Sequence, residues 1–314
     1  MNNKLLIFLL GVMLSGGVKA QQHPSYTQYT LNRFALNPAV AGIIPCSELT
    51  MGNRRQWTGF EGAPTLYVSS FHTRVNKDDK YPKNFHGVGI SAFDSREGFS
   101  ATTGVKLAYA YHIKLARNYR ASVGVFAGIQ NKSFLFNQIN IANKGMDPAL
   151  NREEGSTIVY PEISPGGFIY NQNFYAGLSM IQLYPARIDR IGTRRNRLTG
   201  HYFLTSGYRF RGRILHYIPS FLFNFSPFIS PTMDLTLTVE YDKTISLALG
   251  SKYLNSGYAT LQLRLFSSVT LGYSYEYALN EISNVAPTTH EIVLTIGSCN
   301  SEGRETKFIC PAYE

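Results

Sequence analysis

The sequence predicts an all-β protein, a transmembrane antiparallel β-barrel of about fourteen strands with a short N-terminal plug segment. Three observations predict it. An export leader opens the chain, apolar and polar residues alternate almost everywhere after Cys46, and no later stretch stays apolar for the ~20 residues that a spanning helix needs. Composition agrees, because Tyr 21, Phe 20 and Gly 27 against 16% charged residues suit strands better than long apolar helices. The formal charge of +10 offers a surface to anionic lipid headgroups or an acidic partner, and export sets nucleic acid aside.

The leader is "MNNKLLIFLLGVMLSGGVKA", with an early lysine, an apolar run from Leu5 to Met13 and small residues at the cleavage positions. It reads as a signal peptide over 1–20, cut after Ala20. Its apolar run is too short to cross a bilayer as a helix. A lipid-anchored leader is excluded because Cys46, the first cysteine, lies far beyond the cleavage point.

Residues 21–45, "QQHPSYTQYTLNRFALNPAVAGIIP", show no period of two and are dense in aromatic, amide and apolar side chains. Tyr26, Tyr29, Asn32 or Arg33, and Leu36 fall along one helix face, and Asn37-Pro38 ends that helix. Tyr26, Tyr29, Phe34 and Leu36 need burial, which the lumen or the periplasmic mouth of a barrel supplies.

The barrel is expected over 46–298. Strands fall near 47–59, 65–75, 87–94, 101–115, 121–131, 163–170, 174–182, 201–210, 215–225, 233–241, 245–252, 257–265, 268–277 and 290–297. "VTLGYSYEY" is the clearest: Val269, Leu271, Tyr273, Tyr275 and Tyr277 share one face, and Thr270, Gly272, Ser274 and Glu276 share the other. Many of these runs reach roughly nine to eleven residues, the length that crosses a membrane when tilted. Tyr208, Phe210, Tyr275 and Tyr277 near strand ends suit interfacial girdles.

With the amino terminus starting at the periplasm, connections after odd strands face outward and should be the longer ones. The stretches near 132–162, 183–200 and 278–289 obey this, while the short turn at Glu61 and Gly62 and the longer inward "NKDDKYPKNF" do not. In "WTGFEGAPTLYVSSFHTRV" the glycines serve a tight outward turn between the first two strands. A phosphate loop would need a following helix, which the alternation excludes. Either face of the second strand suits lipid, with a bulge shifting its register partway. The short turn at Glu61 and Gly62 leaves a low rim where a partner can sit.

"RIDRIGTRRNR" sets Arg187, Arg190, Arg194, Arg195 and Arg197 on an outward connection. Such a run either binds acidic lipid or client groups through guanidinium forks or is a solvated loop. Asp147, Glu153 and Glu154 match no calcium loop. Seven scattered histidines, without a nucleophile elbow or a His-Glu-x-x-His pair, argue against an enzyme, and no cofactor or metal is expected. Barrel closure places Cys46 and Cys299 at one seam, so Cys46 pairs with Cys299 or with Cys310 of the periplasmic tail at 299–314, unless Cys299 and Cys310 pair locally.

"QYTLNRFALNPAVAG" and "RRQWTGFEGAPTLYVSSFH", with "YPEISPGGFIYNQNFYAGLS", "GHYFLTSGYRF", "GYSYEYALNEI" and "HEIVLTI", resemble the PorP/SprF-type outer-membrane proteins of the Bacteroidetes type IX secretion system. Val40 stands where that family often has an aromatic. The resemblance implies an integral outer-membrane protein that docks, helps export or anchors a large secreted surface protein, such as a gliding-motility adhesin recognised through its C-terminal sorting domain. It equally implies contact with periplasmic ring or peptidoglycan-linked secretion components, so the alternative is an outer-membrane anchor for that ring. A passive solute porin is a third reading. About fourteen strands enclose a lumen too narrow for a folded adhesin domain, which favours a docking platform over a conduit.

Overall fold

The computed structural model describes residues 27–75, 83–116, 118–134, 157–183, 199–227, 229–242, 244–252, 255–265 and 268–298. The leader, the arginine run and the tail after 298 lie outside them. The strands are β1 (Glu48–Arg55), β2 (Thr65–Arg74), β3 (Asn84–Glu97), β4 (Ser100–Lys114), β5 (Arg120–Phe134), β6 (Thr157–Tyr170), β7 (Phe174–Ile181) and β8 (His201–Tyr208). They continue as β9 (Phe210–Arg211), β10 (Leu215–Ser226), β11 (Ile229–Tyr241), β12 (Ile245–Lys252), β13 (Ser256–Leu265), β14 (Val269–Ala278) and β15 (Thr288–Gly297).

Each stave pairs antiparallel with the next, and β15 closes on β1 from Glu48↔Gly297 to Arg55↔His290. β8 and β9 are one stave. Both pair with β10 in the same register, through Gly207↔Ser220 and Phe210↔Tyr217, and the interruption falls beside Pro219, which brings no N–H to the ladder. The wall is therefore a closed antiparallel barrel of 14 strands.

Alternation decides which side of this wall is wet. On β14, Leu271, Tyr273, Tyr275 and Tyr277 face outward, while Ser274 and Glu276 are buried toward the lumen. Val123 is 65% exposed on the outside of β5, whereas Glu162 on the inside of β6 is 1% exposed. In water such an arrangement forfeits roughly 1.5–3 kcal/mol for each large side chain left uncovered. Hydrocarbon around the wall removes that cost, so the pattern is that of an outer-membrane barrel. Tyr208 and Phe210 project outward at the strand end with their rings 4.7 Å apart, as an interfacial girdle requires.

β5 ends and β6 begins, and β7 ends and β8 begins, at the same end of the barrel as the β1–β2 turn and the β14–β15 loop. That end is the outer one. The outward connections after β3 and β10 are tighter than expected, because β3 continues to Glu97 and β11 begins at Ile229, further outward than their apolar alternation reaches. β4 and β5 span 15 residues each, so β3–β6 form a tall side of the wall.

Three local expectations need correction. β1 stops at Arg55, short of residue 59, because Trp57 takes φ 51 and Gly59 φ 98, turning the chain off the ladder. β2 carries no bulge: its register with β1 and β3 is continuous, with Leu66, Val68, Ser70 and His72 inward and Tyr67 and Phe71 toward lipid. The amino-terminal helix is a single turn, α1 (Arg33–Leu36), so Tyr29 lies before it. Wall side chains satisfy the backbone of this segment, so a longer helix is not needed.

Candidate functional site

Residues 27–46 fill the lumen. Asn32 caps α1 by accepting from the Ala35 N–H at 3.1 Å, and Asn37 caps a following 3-10 turn (Pro38–Val40) by accepting from the Ala39 N–H at 2.9 Å. Pro38 sits at the first position of that turn, where no N–H is needed. Tyr29, Phe34, Leu36, Asn37 and Pro38 of the expected plug are all buried; Tyr26 lies outside the described residues.

The plug begins at the outer end of the lumen. Glu291 of β15 accepts two successive backbone N–H groups, from Thr27 at 2.8 Å and Gln28 at 3.1 Å. Arg54 of β1 donates to the Thr27 hydroxyl and pairs with Glu276 at 3.0 Å and Glu291 at 3.4 Å. Lys252 of β12 donates to Glu276 and to Thr27 Oγ1, each at 2.9 Å. Four staves thus converge on one turn of chain through charge-assisted hydrogen bonds, the stronger kind.

From there the segment winds around the inner wall toward the periplasm. The Tyr29 hydroxyl bonds Ser220 and Thr236 on β10 and β11. Phe34 packs against Phe126 and His72, with centroids 5.2 and 4.9 Å away. Ser179 of β7 donates to Leu36 O at 2.7 Å, Ser122 of β5 to Ala39 O at 2.6 Å, and Arg74 of β2 to Gly42 O at 3.2 Å and Ile43 O at 3.0 Å. His112 Nε2 lies 2.8 Å from Ala41 O, and the ring stacks on Phe85, which Arg74 covers from the other side at 3.8 Å. The chain ends at Cys46, where β1 begins; Cys46 is disulfide-bonded to a partner outside the described residues.

A second feature is the outer rim at the barrel seam. The β1–β2 turn is tied to β15, with the Thr58 N–H donating to Thr288 O at 2.8 Å and the Trp57 N–H to Thr289 Oγ1 at 3.2 Å. It is tied to the β3–β4 turn by the Gly98 N–H donating to Gly62 O at 3.0 Å. Glu61 and Gly62 are exposed there, beside Phe60. The adjoining turns expose Phe99, Leu279 and Val285.

Sequence reasoning named the plug residues but missed their receptors: Arg54, Lys252, Glu276, Glu291, Arg74 and His112. The available signal was a charge on the small or polar face of an otherwise clean strand, as with Glu276 in "GYSYEY". Arg187, Arg190, Arg194, Arg195, Arg197, Cys299 and Cys310 lie outside the described residues. Among those described, no three His, Cys, Asp or Glu side chains converge as a metal site, and no helix is long and apolar enough to cross a membrane.

A closed barrel with lipid-facing apolar residues and an occupied lumen defines an integral outer-membrane protein. The chain belongs to the PorP/SprF family of type IX secretion system membrane proteins, which matches over residues 18–296. It is thus an outer-membrane component of type IX secretion. No match was found among curated proteins. Among solved structures it is similar to a FadL homologue of Pseudomonas aeruginosa, at 10% identity over 88% of this chain and 94% of that one, with a TM-score of 0.47. The Pseudomonas putida toluene transporter TodX gives 9% identity, 87% and 94% coverage and a TM-score of 0.46. The monoaromatic hydrocarbon channel CymD gives 11%, 85% and 91%, and 0.45.

Proposed function

We propose that this protein is a non-enzymatic docking and anchoring platform of the type IX system, holding a large secreted surface protein, such as a gliding-motility adhesin or its C-terminal sorting domain, at the outer rim. The observation that carries this reading is the lumen itself. Residues 27–46 occupy it and are hydrogen-bonded to the wall at β15, β11, β10, β7, β5, β4 and β2, so the barrel offers no conduit for a polypeptide.

With the pore occupied, the surfaces left for a client are the rims. Phe60, Glu61 and Gly62 form a low step beside exposed Leu279 and Val285. A contiguous apolar patch exposed outside the lipid-facing wall marks a contact surface. Periplasmic secretion components meet the opposite mouth, where the inward turns at 171–173, 212–214 and 242–244 are short.

The test is a pull-down of the tagged full-length barrel from solubilised outer membranes. Recovery of a large secreted protein, lost when Phe60→Ser and Val285→Ser are combined, supports the reading. Recovery of periplasmic ring proteins alone overturns it in favour of a machine anchor. A porin would instead conduct ions steadily in planar bilayers with residues 27–46 in place.

A further inference from the structure

The lipid-facing wall carries a groove of about 860 Å³ across β15 and β1–β5, reaching Val159 on β6. Strand register orders its lining into rows. One row reads Ile292, Asn53, Tyr67, Asp94, Thr103, Asn131 and Val159 across seven strands. The row beneath it reads Leu294, Met51, Ser69, Ala92, Val105 and Ile129. All of these point outward. Ser69 and Ala92 are small where their flanking neighbours Met51 and Val105 are large, which gives the groove its floor.

The row above the groove contains Arg55, Thr65 and Arg96, paired side by side at the outer strand ends. Arg55 and Arg96 therefore stand two strand spacings apart, ~10 Å between backbones. Both are exposed. Asp94 takes Arg96 Nε at 3.2 Å, which leaves the two terminal nitrogens of that fork for another acceptor. Arg55 has no acidic partner among the described residues.

We propose that this groove is a binding site for a phosphate-bearing lipid of the outer leaflet: acyl chains lie over Ser69 and Ala92, and the phosphate is held between Arg55 and Arg96. An apolar floor in hydrocarbon selects acyl chains over water-soluble ligands. Paired guanidinium forks at the water boundary complement a phosphate, which they bind bidentately. The row of Asn53, Asp94, Thr103 and Asn131 lies between, with the Asp94 carboxylate neutralised by Arg96 Nε, at the level of a lipid's ester and amide groups. The site lies on the outside of the wall and does not rest on client docking at the rim.

Native mass spectrometry of the detergent-solubilised full chain, titrated with diphosphoryl lipid A, tests it. The wild type is expected to retain one lipid, and the Arg55→Gln/Arg96→Gln double variant to retain at least about fivefold less. Ala92→Trp, which fills the floor without touching charge, should lose the lipid similarly. Fully dephosphorylated lipid A should bind wild type no better than the double variant, a comparison that needs no mutation. Equal retention by wild type and both variants overturns the proposal. So does efficient barrel-to-barrel crosslinking through Ala92→Cys in membranes, which would make the groove a contact between copies.

Discussion

Gly87 and Gly124 decide how closely the plug can lie against the wall. A Cβ at Gly87 would come 1.9 Å from Ala41 O, and one at Gly124 would come 2.7 Å from Ala39 N and from the carbonyl carbon of Pro38. Both obstacles are backbone, which cannot swing aside as a side-chain tip can. Gly124→Val should therefore lift the plug locally and destabilise the barrel by about 1–3 kcal/mol. The expected readout is a lower temperature for loss of heat-resistant gel mobility, together with new protease sensitivity near Ala39; an unchanged profile would show that the plug does not press on β5. At this scale the sequence was half legible. Phe34 and Leu36 announce burial by composition, but nothing near Gly124 announces Ala39, because their contact spans most of a hundred residues of chain.

Taken as an element, the plug is held at two ends by different chemistry. Its outer end rests on Glu291, Arg54, Glu276 and Lys252, and its inner end on neutral carbonyl acceptors facing Arg74, Ser122 and His112. Removing one member of a buried charge cluster leaves the others uncompensated, at a cost of about 3–5 kcal/mol. Glu291→Ala should consequently free Thr27 and Gln28 while Cys46 keeps the segment tethered. Planar-bilayer recordings should show flickering conductance absent from wild type, whereas Ser122→Ala, at the inner end, should conduct like wild type. Conductance equal to wild type in Glu291→Ala would mean that the inner contacts alone hold the plug. The strands were readable because period two is a local property of nine or ten residues, as in β11 with Leu235 and Leu237 opposite Thr236 and Thr238. The plug's path was not, since a segment without periodicity takes its shape from the wall around it. Its helix shrank to four residues for that reason.

For the whole molecule, the decisive step is closure of β1 on β15, which joins residues more than two hundred positions apart along the chain. The alternation in "HEIVLTI" and the even strand count made that closure legible, but its covalent reinforcement was only a choice among pairings. Cys46 is disulfide-bonded, and the Ser47 N–H donates to Ser298 Oγ at 3.1 Å while the Ser298 N–H donates to Ser47 O at 2.9 Å. The residues following Cys46 and preceding Cys299 are thus hydrogen-bonded neighbours at the seam, which favours Cys299 as the partner. A crosslink there restricts the unfolded chain over nearly the entire barrel and should contribute about 2–5 kcal/mol. Such a crosslink would also hold the inner end of the plug to the seam, so its loss should affect the lumen as well as the wall. Non-reducing peptide mapping should recover Cys46 linked to Cys299; a Cys46–Cys310 peptide would move the reinforcement into the tail. Cys46→Ser should lower the thermal midpoint of heat-modifiable mobility, and reductant should lower the wild type to the same value without affecting the variant. If reductant lowered the variant too, the stabilising bond would not involve Cys46, and the seam would be held by β1–β15 pairing alone.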